Sequence, residues 1–129
     1  KSYKKAGDLL IQIGINDEYE RDIIYPAIYN YRHATELYLK SLIKEENVTH
    51  DLKKLFEIVN ENLLKKMKQS PPKWFENLIL AFVDFDSRGT TFRYAIQIEK
   101  DEIFIDLVHI KKLMNWFDES IERMVELNK

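Results

Sequence analysis

A chain of 129 residues with 45% hydrophobic and 33% charged side chains holds enough apolar material for one packed core and too much for a disordered polymer. Its 20 Lys and Arg nearly balance 22 Asp and Glu, for a formal net charge of −2, so no global field draws it to nucleic acid or an anionic membrane and any such binding needs a local patch. With no Cys, a disulfide framework, a thiolate zinc site and a thiol nucleophile are excluded. Neither a secretory signal, a lipidation motif nor an apolar run of about 20 residues is present, and the expectation is a cytoplasmic protein with no membrane span.

Only three Gly and three Pro interrupt the chain, and its apolar residues recur mostly at spacings of three and four. That periodicity reads as a mainly all-α fold, an up-and-down bundle of about five helices in a single domain over residues 1–129. A first helix is expected over Tyr3–Ile15, with Ala6, Leu9, Leu10 and Ile13 on one side and a stop near Gly14. The second, Arg21–Lys44, winds Ile24, Ala27, Ile28, Tyr31, Ala34, Thr35, Tyr38 and Leu42 into one stripe, with Pro26 in its early part, where regular helix can begin. A third opens at VTHDLKKLFEIV, with Thr49 as N-cap, Asp51 in the first turn and Leu52, Leu55, Phe56, Val59 and Leu63 facing the core.

Ser70, Pro71 and Pro72 signal the start of a fourth helix carrying Trp74, Phe75, Leu78, Ala81, Phe82 and Phe85. Phe92, Tyr94, Ile96 and Ile98 then alternate with polar residues, and Ile103 and Ile105 resume the alternation, which predicts a small β-hairpin before the last helix. That helix, Asp106–Leu127, spaces Leu107, Ile110, Met114, Phe117, Ile121 and Met124 as a bundle seam.

The segment YRHATELYLKSLI, followed by THDLKKL at the head of the third helix, resembles the HEPN superfamily, the "higher eukaryotes and prokaryotes nucleotide-binding" helical domains. The stretch DSRGTTFRYAIQ resembles a branch of that superfamily with a similar Ser…Phe-Arg-Tyr segment, and the similar pieces together span Tyr25 to Asn128. The resemblance implies a HEPN-like bundle acting as a homodimer in prokaryotic defence or a toxin–antitoxin system. It further implies an RNA or nucleotide-like ligand, a cognate nucleotidyltransferase-type partner and no cofactor. Catalytic HEPN ribonucleases carry an Arg, four to six residues, then a His, paired across two subunits. None of His33, His50 and His109 has an Arg at that distance; the nearest approach is Lys44 before His50, and an ammonium lacks the planar fork that clamps a phosphate. The resemblance therefore implies binding ahead of cleavage, and any cleavage would be that of a metal-independent endoribonuclease.

Read from the residues, Arg32 and Glu36 lie one helical turn apart and can pair. Arg32 sits at the edge of the apolar stripe, where a charge needs a partner, so it is either a bundle-orienting salt bridge or a phosphate grip held by Glu36. His33 falls about 100° further round, on the polar side with Lys40. It is a lightly packed surface residue, or half of a site that a second element or subunit completes. His50, at the head of the third helix, can cap, act as a base or hydrogen bond to the second helix. A metal held by His33, Glu36 and His50 lacks the second copy that a bundle di-metal site requires, and none is expected.

Ser87, Arg88, Arg93 and Tyr94 form either a loop of Asp84 or Asp86 to Arg ion pairs, or a place for a phosphate and a stacked base. Tyr25, Tyr29, Tyr31 and Tyr38 read as core and interface rings. The candidate catalytic residues are Arg32, His33 and His50, and the candidate ligand-binding residues Glu36, Asp51, Ser87, Arg88, Arg93 and Tyr94. The alternative is a non-catalytic, antitoxin-like or accessory interaction bundle whose charged trio only orders the helices.

Overall fold

Wherever the apolar spacing of three and four runs unbroken, the chain is helical. The computed structural model of the chain describes residues 1–43, 49–83 and 100–127, and no strand occurs among them. Helix α1 spans Ser2–Asn16, a 3-10 helix covers Glu18–Ile23, α2 spans Ile24–Ser41, α3 Leu52–Met67, α4 residues 73–83 and α5 Lys100–Leu127. None of these helices is long and apolar enough to cross a membrane.

The expected hairpin is corrected on its second arm, because Ile103 and Ile105 lie in α5, which starts at Lys100. Ile103 stands four residues before Leu107 and Leu107 three before Ile110, a spacing that suits a helix as well as the alternation suits a strand. Over so short a run the period is ambiguous, and the long helix behind it decides. The first arm, Phe92 to Ile98, lies outside the described residues, as do Lys44, Phe85 and the side chain of Leu63.

Helix α2 is the axis of the bundle. Ile24, Ala27, Ile28, Tyr31, Ala34, Thr35 and Tyr38 are all buried as the stripe requires, and Leu39 and Glu36 join them. Pro26 is the third residue of α2, where its missing N–H is one that has no intrahelical partner in any helix, so nothing is lost. Ahead of α2, Glu18–Ile23 form a 3-10 helix, so the α-helix begins at Ile24 rather than at Arg21.

Helix α1 turns a different face inward from the one its leucines suggest. It buries Gly7, Ile11 and Gly14, and leaves Leu9 60% and Ile13 43% exposed. Tyr31 explains the rotation. A Cβ on Gly7 would stand 2.5 Å from two carbons of the Tyr31 ring, so the ring lies directly on the α1 backbone where no side chain intervenes. The Tyr31 hydroxyl donates to Asp8 Oδ1 at 2.6 Å, and Lys4 Nζ donates to Asp8 Oδ2 at 2.7 Å and to Asn115 Oδ1 of α5 at 2.7 Å. Lys111 donates to Gln12 at 2.9 Å and Lys1 pairs with Glu122, so α5 runs antiparallel to α1.

Two turns further along the same face of α2 a chain of rings joins four helices. Tyr38 lies 5.9 Å from Phe117, Phe117 stacks on Phe75 at 4.5 Å, and Phe75 lies 6.3 Å from Phe56. The last three belong to α5, α4 and α3. Tyr38 also donates to Asp118 Oδ1 at 2.6 Å, which fixes α2 against α5 by a polar as well as an apolar contact. Of the tyrosines expected as core and interface rings, Tyr31 and Tyr38 are buried in the core, while Tyr29 is 63% exposed.

Two consequences are measurable. Gly7→Ala gains helix propensity worth about 0.5–1 kcal/mol but must displace a ring pinned by Asp8, at a cost of about 1–3 kcal/mol for overpacking. Its urea midpoint should fall, and a rise would show that the ring is free to move. Burial, then the hydrogen bonds to Asp8 and Asp118, push the hydroxyls of Tyr31 and Tyr38 well above the ordinary tyrosine range. Both groups are protonated in folded and unfolded chains below about pH 10. Above it the unfolded chain ionises first, so stability falls as pH rises. Combining Tyr31→Phe with Tyr38→Phe should flatten the decline of stability with pH in the alkaline range, measured by urea titrations.

Candidate functional site

A carboxylate buried in a bundle has to be surrounded by donors or it would not stay ionised. Glu36 is 2% exposed, and α2 supplies its partners from its own turns: Arg32 four residues before, His33 three before and Lys40 four after. Arg32 Nη1 lies 3.5 Å and His33 Nδ1 3.3 Å from Oε2, and Lys40 Nζ 3.7 Å from Oε1. A second element closes the ring, with His50 Nδ1 3.1 Å from Oε1. Arg32 Nη2 also donates to the His50 carbonyl at 3.1 Å, tying the peptide before α3 to α2.

The head of α3 is built to hold His50 in place. Asp51, not Thr49, is the N-cap: its Oδ1 accepts from the backbone N–H groups of Lys53 at 3.0 Å and Lys54 at 3.3 Å. Thr49 Oγ1 accepts from the Asp51 N–H at 3.0 Å, a local turn one step upstream. Asp51 carries the larger share because its charged oxygen meets the orphan N–H groups at the positive end of the helix.

Four of the nine candidate residues therefore converge: Arg32, His33, Glu36 and His50. The wheel sets Arg32 and His33 about 100° apart, a compact site only if a second element closes over them; both reach Glu36 Oε2, and His50 closes over it from the head of α3. Asp51 stands beside them as a cap, with its carboxylate occupied by the helix. Ser87, Arg88, Arg93 and Tyr94 lie outside the described residues, as do Asp84 and Asp86. Lys40 was missed as a member of the site, although its position one turn after Glu36 was the available signal. Tyr3 was missed as well: its ring stands edge-on to His33 at 4.2 Å, an approach across α1 and α2 that no spacing within one helix reveals.

Exposure divides the cluster by role. The side chains of Arg32 and Lys40 are 18% and 22% exposed, His33 is 32% and His50 is 85%. Arg32 is drawn inward between Glu36 and the His50 carbonyl, while His50 stands in solvent with one ring nitrogen held from below. Among the described residues no group of three or more His, Asp or Glu is placed to hold a metal ion. What the arrangement can do is present an oriented imidazole beside two permanent cations, a combination suited to acid–base work or to gripping a phosphate oxygen.

Removing the charge at the centre tests how much of the structure leans on it. Glu36→Gln leaves Arg32 and Lys40 partly buried without a counter-ion, and should cost roughly 2–4 kcal/mol, below the value for a fully buried pair because both cations reach water. A urea midpoint within experimental error of the parent would show that the cluster is a surface pairing of little consequence.

Compared with family models, with curated proteins and with solved structures, the chain matches none, so its function has to be read from the arrangement around Glu36.

Proposed function

We propose that the chain is a HEPN-like helical domain that binds RNA or a nucleotide-like ligand through the surface over Glu36. One observation carries the reading: a single buried carboxylate gathers two permanent cations and two imidazoles, and one of those imidazoles is left 85% exposed. A pure helix clamp needs Arg32, Glu36 and the His50 carbonyl, but it has no use for an oriented ring in water. Phosphate is the ligand class that uses both charge and directed N–H donors. The motifs YRHATELYLKSLI and THDLKKL, which carry the HEPN resemblance, are the two segments that meet here.

Binding is the primary reading and cleavage is secondary. The Arg-to-His spacing of HEPN ribonucleases is absent, and the Arg32 guanidinium is engaged by Glu36 and the His50 carbonyl. If the domain does cleave RNA, His50 would take the 2′-hydroxyl proton as that oxygen attacks phosphorus, a cation of the cluster would stabilise the charge on the phosphoryl oxygens, and the bond to the 5′-oxygen would break with its proton supplied by water, without a metal. A homodimer, a nucleotidyltransferase-type partner and a cytoplasmic role in defence or a toxin–antitoxin pair belong to the same proposal through the resemblance.

A second reading is an antitoxin-like or accessory interaction module. It is favoured by Leu9 and Ile13, apolar side chains one turn apart on α1 and 60% and 43% exposed, away from the charged cluster.

Fluorescence anisotropy with a labelled single-stranded RNA separates the two. His50→Ala should stay folded and lose about 1–3 kcal/mol, because its ring is one of the partners of the buried Glu36 carboxylate. Combined with Lys40→Ala it should weaken RNA binding about tenfold and lower the salt slope by roughly one. Arg32→Ala should lose stability along with binding. If RNA does not bind the parent, or binds both variants equally, the nucleic-acid reading falls and the interaction module stands.

A further inference from the structure

His50 Nδ1 lies 3.1 Å from Glu36 Oε1 and 3.2 Å from Lys40 Nζ. In a neutral imidazole these two hydrogen bonds exclude each other. A carboxylate only accepts, so the first requires a proton on Nδ1; an ammonium only donates, so the second requires a lone pair there. Lys40 and Glu36 are themselves 3.7 Å apart, close enough that both partners stand ready at the same ring atom.

We infer that Lys40 is a positioning residue for His50: it competes with Glu36 for Nδ1 and thereby decides which ring nitrogen carries the proton. With Glu36 engaged, Nδ1–H donates inward and Nε2 faces solvent with a lone pair, able to accept a proton or a hydrogen bond. With Lys40 engaged, Nδ1 accepts and Nε2–H faces solvent as a donor. Arg32 and His33 are held on the other carboxylate oxygen, Oε2, and Arg32 donates to the backbone carbonyl of His50. The peptide of His50 is therefore anchored while the proton of its ring stays movable.

This inference deepens the function proposed above and rests on it for its consequence. A bound phosphate is a stronger acceptor for the Lys40 ammonium than an imidazole nitrogen. A ligand that draws Lys40 toward itself leaves Nδ1 to Glu36 and turns Nε2 into an acceptor, so arrival of an anion would itself set His50 as a base.

The test reads the tautomer of the free protein, so it holds whether or not RNA binds. Nitrogen-15 spectra of the imidazoles are recorded at a pH that leaves all of them neutral, with the His50 signals assigned by their loss in His50→Gln. In the parent, Nδ1 and Nε2 should both lie between the protonated and unprotonated values. In Lys40→Met, which lacks a donor, Nδ1 should shift to the protonated side and Nε2 to the unprotonated side. Lys40→Arg, which restores a donor, should return both toward the parent. Unchanged His50 nitrogens in Lys40→Met would overturn the inference, as would a Lys40→Arg spectrum identical to that of Lys40→Met.

Discussion

Burial of the Glu36 carboxylate is the constraint around which this bundle is arranged. A charge that is 2% exposed has lost most of its water, and it is tolerable only because donors replace that water at both oxygens. Three of those donors come from α2 itself and follow from helical spacing alone. The fourth has to come from elsewhere in the chain, and the segment leading into α3 supplies it. The need to satisfy one carboxylate thus helps hold the segment before the third helix against α2. The same contacts that hold the fold also hold an imidazole above it, so scaffold and site are two faces of one cluster.

The opposite flank of α2 solves a related problem with hydroxyls in place of cations. Tyr31 and Tyr38 are large enough to fill the space between helices, yet each ends in a polar atom that needs a partner when buried. Asp8 of α1 and Asp118 of α5 provide them, each at 2.6 Å. Because the Tyr31 ring rests against Gly7, α1 can approach closely enough for Asp8 to reach. The glycine, the ring and the carboxylate form one unit: enlarge the first and the last loses its bond. This tight docking also accounts for the leucine left in water, since α1 cannot present both its glycine face and Leu9 to α2.

How much of this was legible in the sequence depends on whether the cause was local. The α2 stripe, the seam of α5 and the core face of α3 came directly from residues three and four apart, because burial of one helix side imposes that spacing. The inward face of α1 did not, since the deciding interaction is between Gly7 and a ring 24 positions later. The second hairpin arm was misread because Ile103 and Ile105 satisfy a strand period over a few residues, while the helix that claims them is set by Leu107 onward. At the site, the pairing of Arg32 with Glu36 was readable as one helical turn. The pairing of His33 with Glu36, three residues apart on one helix face, was readable in the same way, whereas the edge-on approach of Tyr3 to His33 was not, because it joins two helices.

A partner shared by four side chains bears on how the cluster would act. Directions on a wheel treat each charged residue as an independent projection, whereas a buried carboxylate pulls every donor in reach toward itself. Arg32 and Lys40 are consequently less available to solvent than their positions imply, at 18% and 22% exposed, and His50 is more available, at 85%. A ligand arriving on this surface would meet the imidazole before it met either cation. Under the proposed reading, charge would draw the phosphate in, and the exposed ring would make the first directed contact. Lys40, anchored by a long and flexible stem, is the cation best able to follow, whereas Arg32 cannot leave without surrendering the peptide that carries His50. The division of labour follows from geometry: the arginine is structural, the histidine faces outward, and the lysine stands between them.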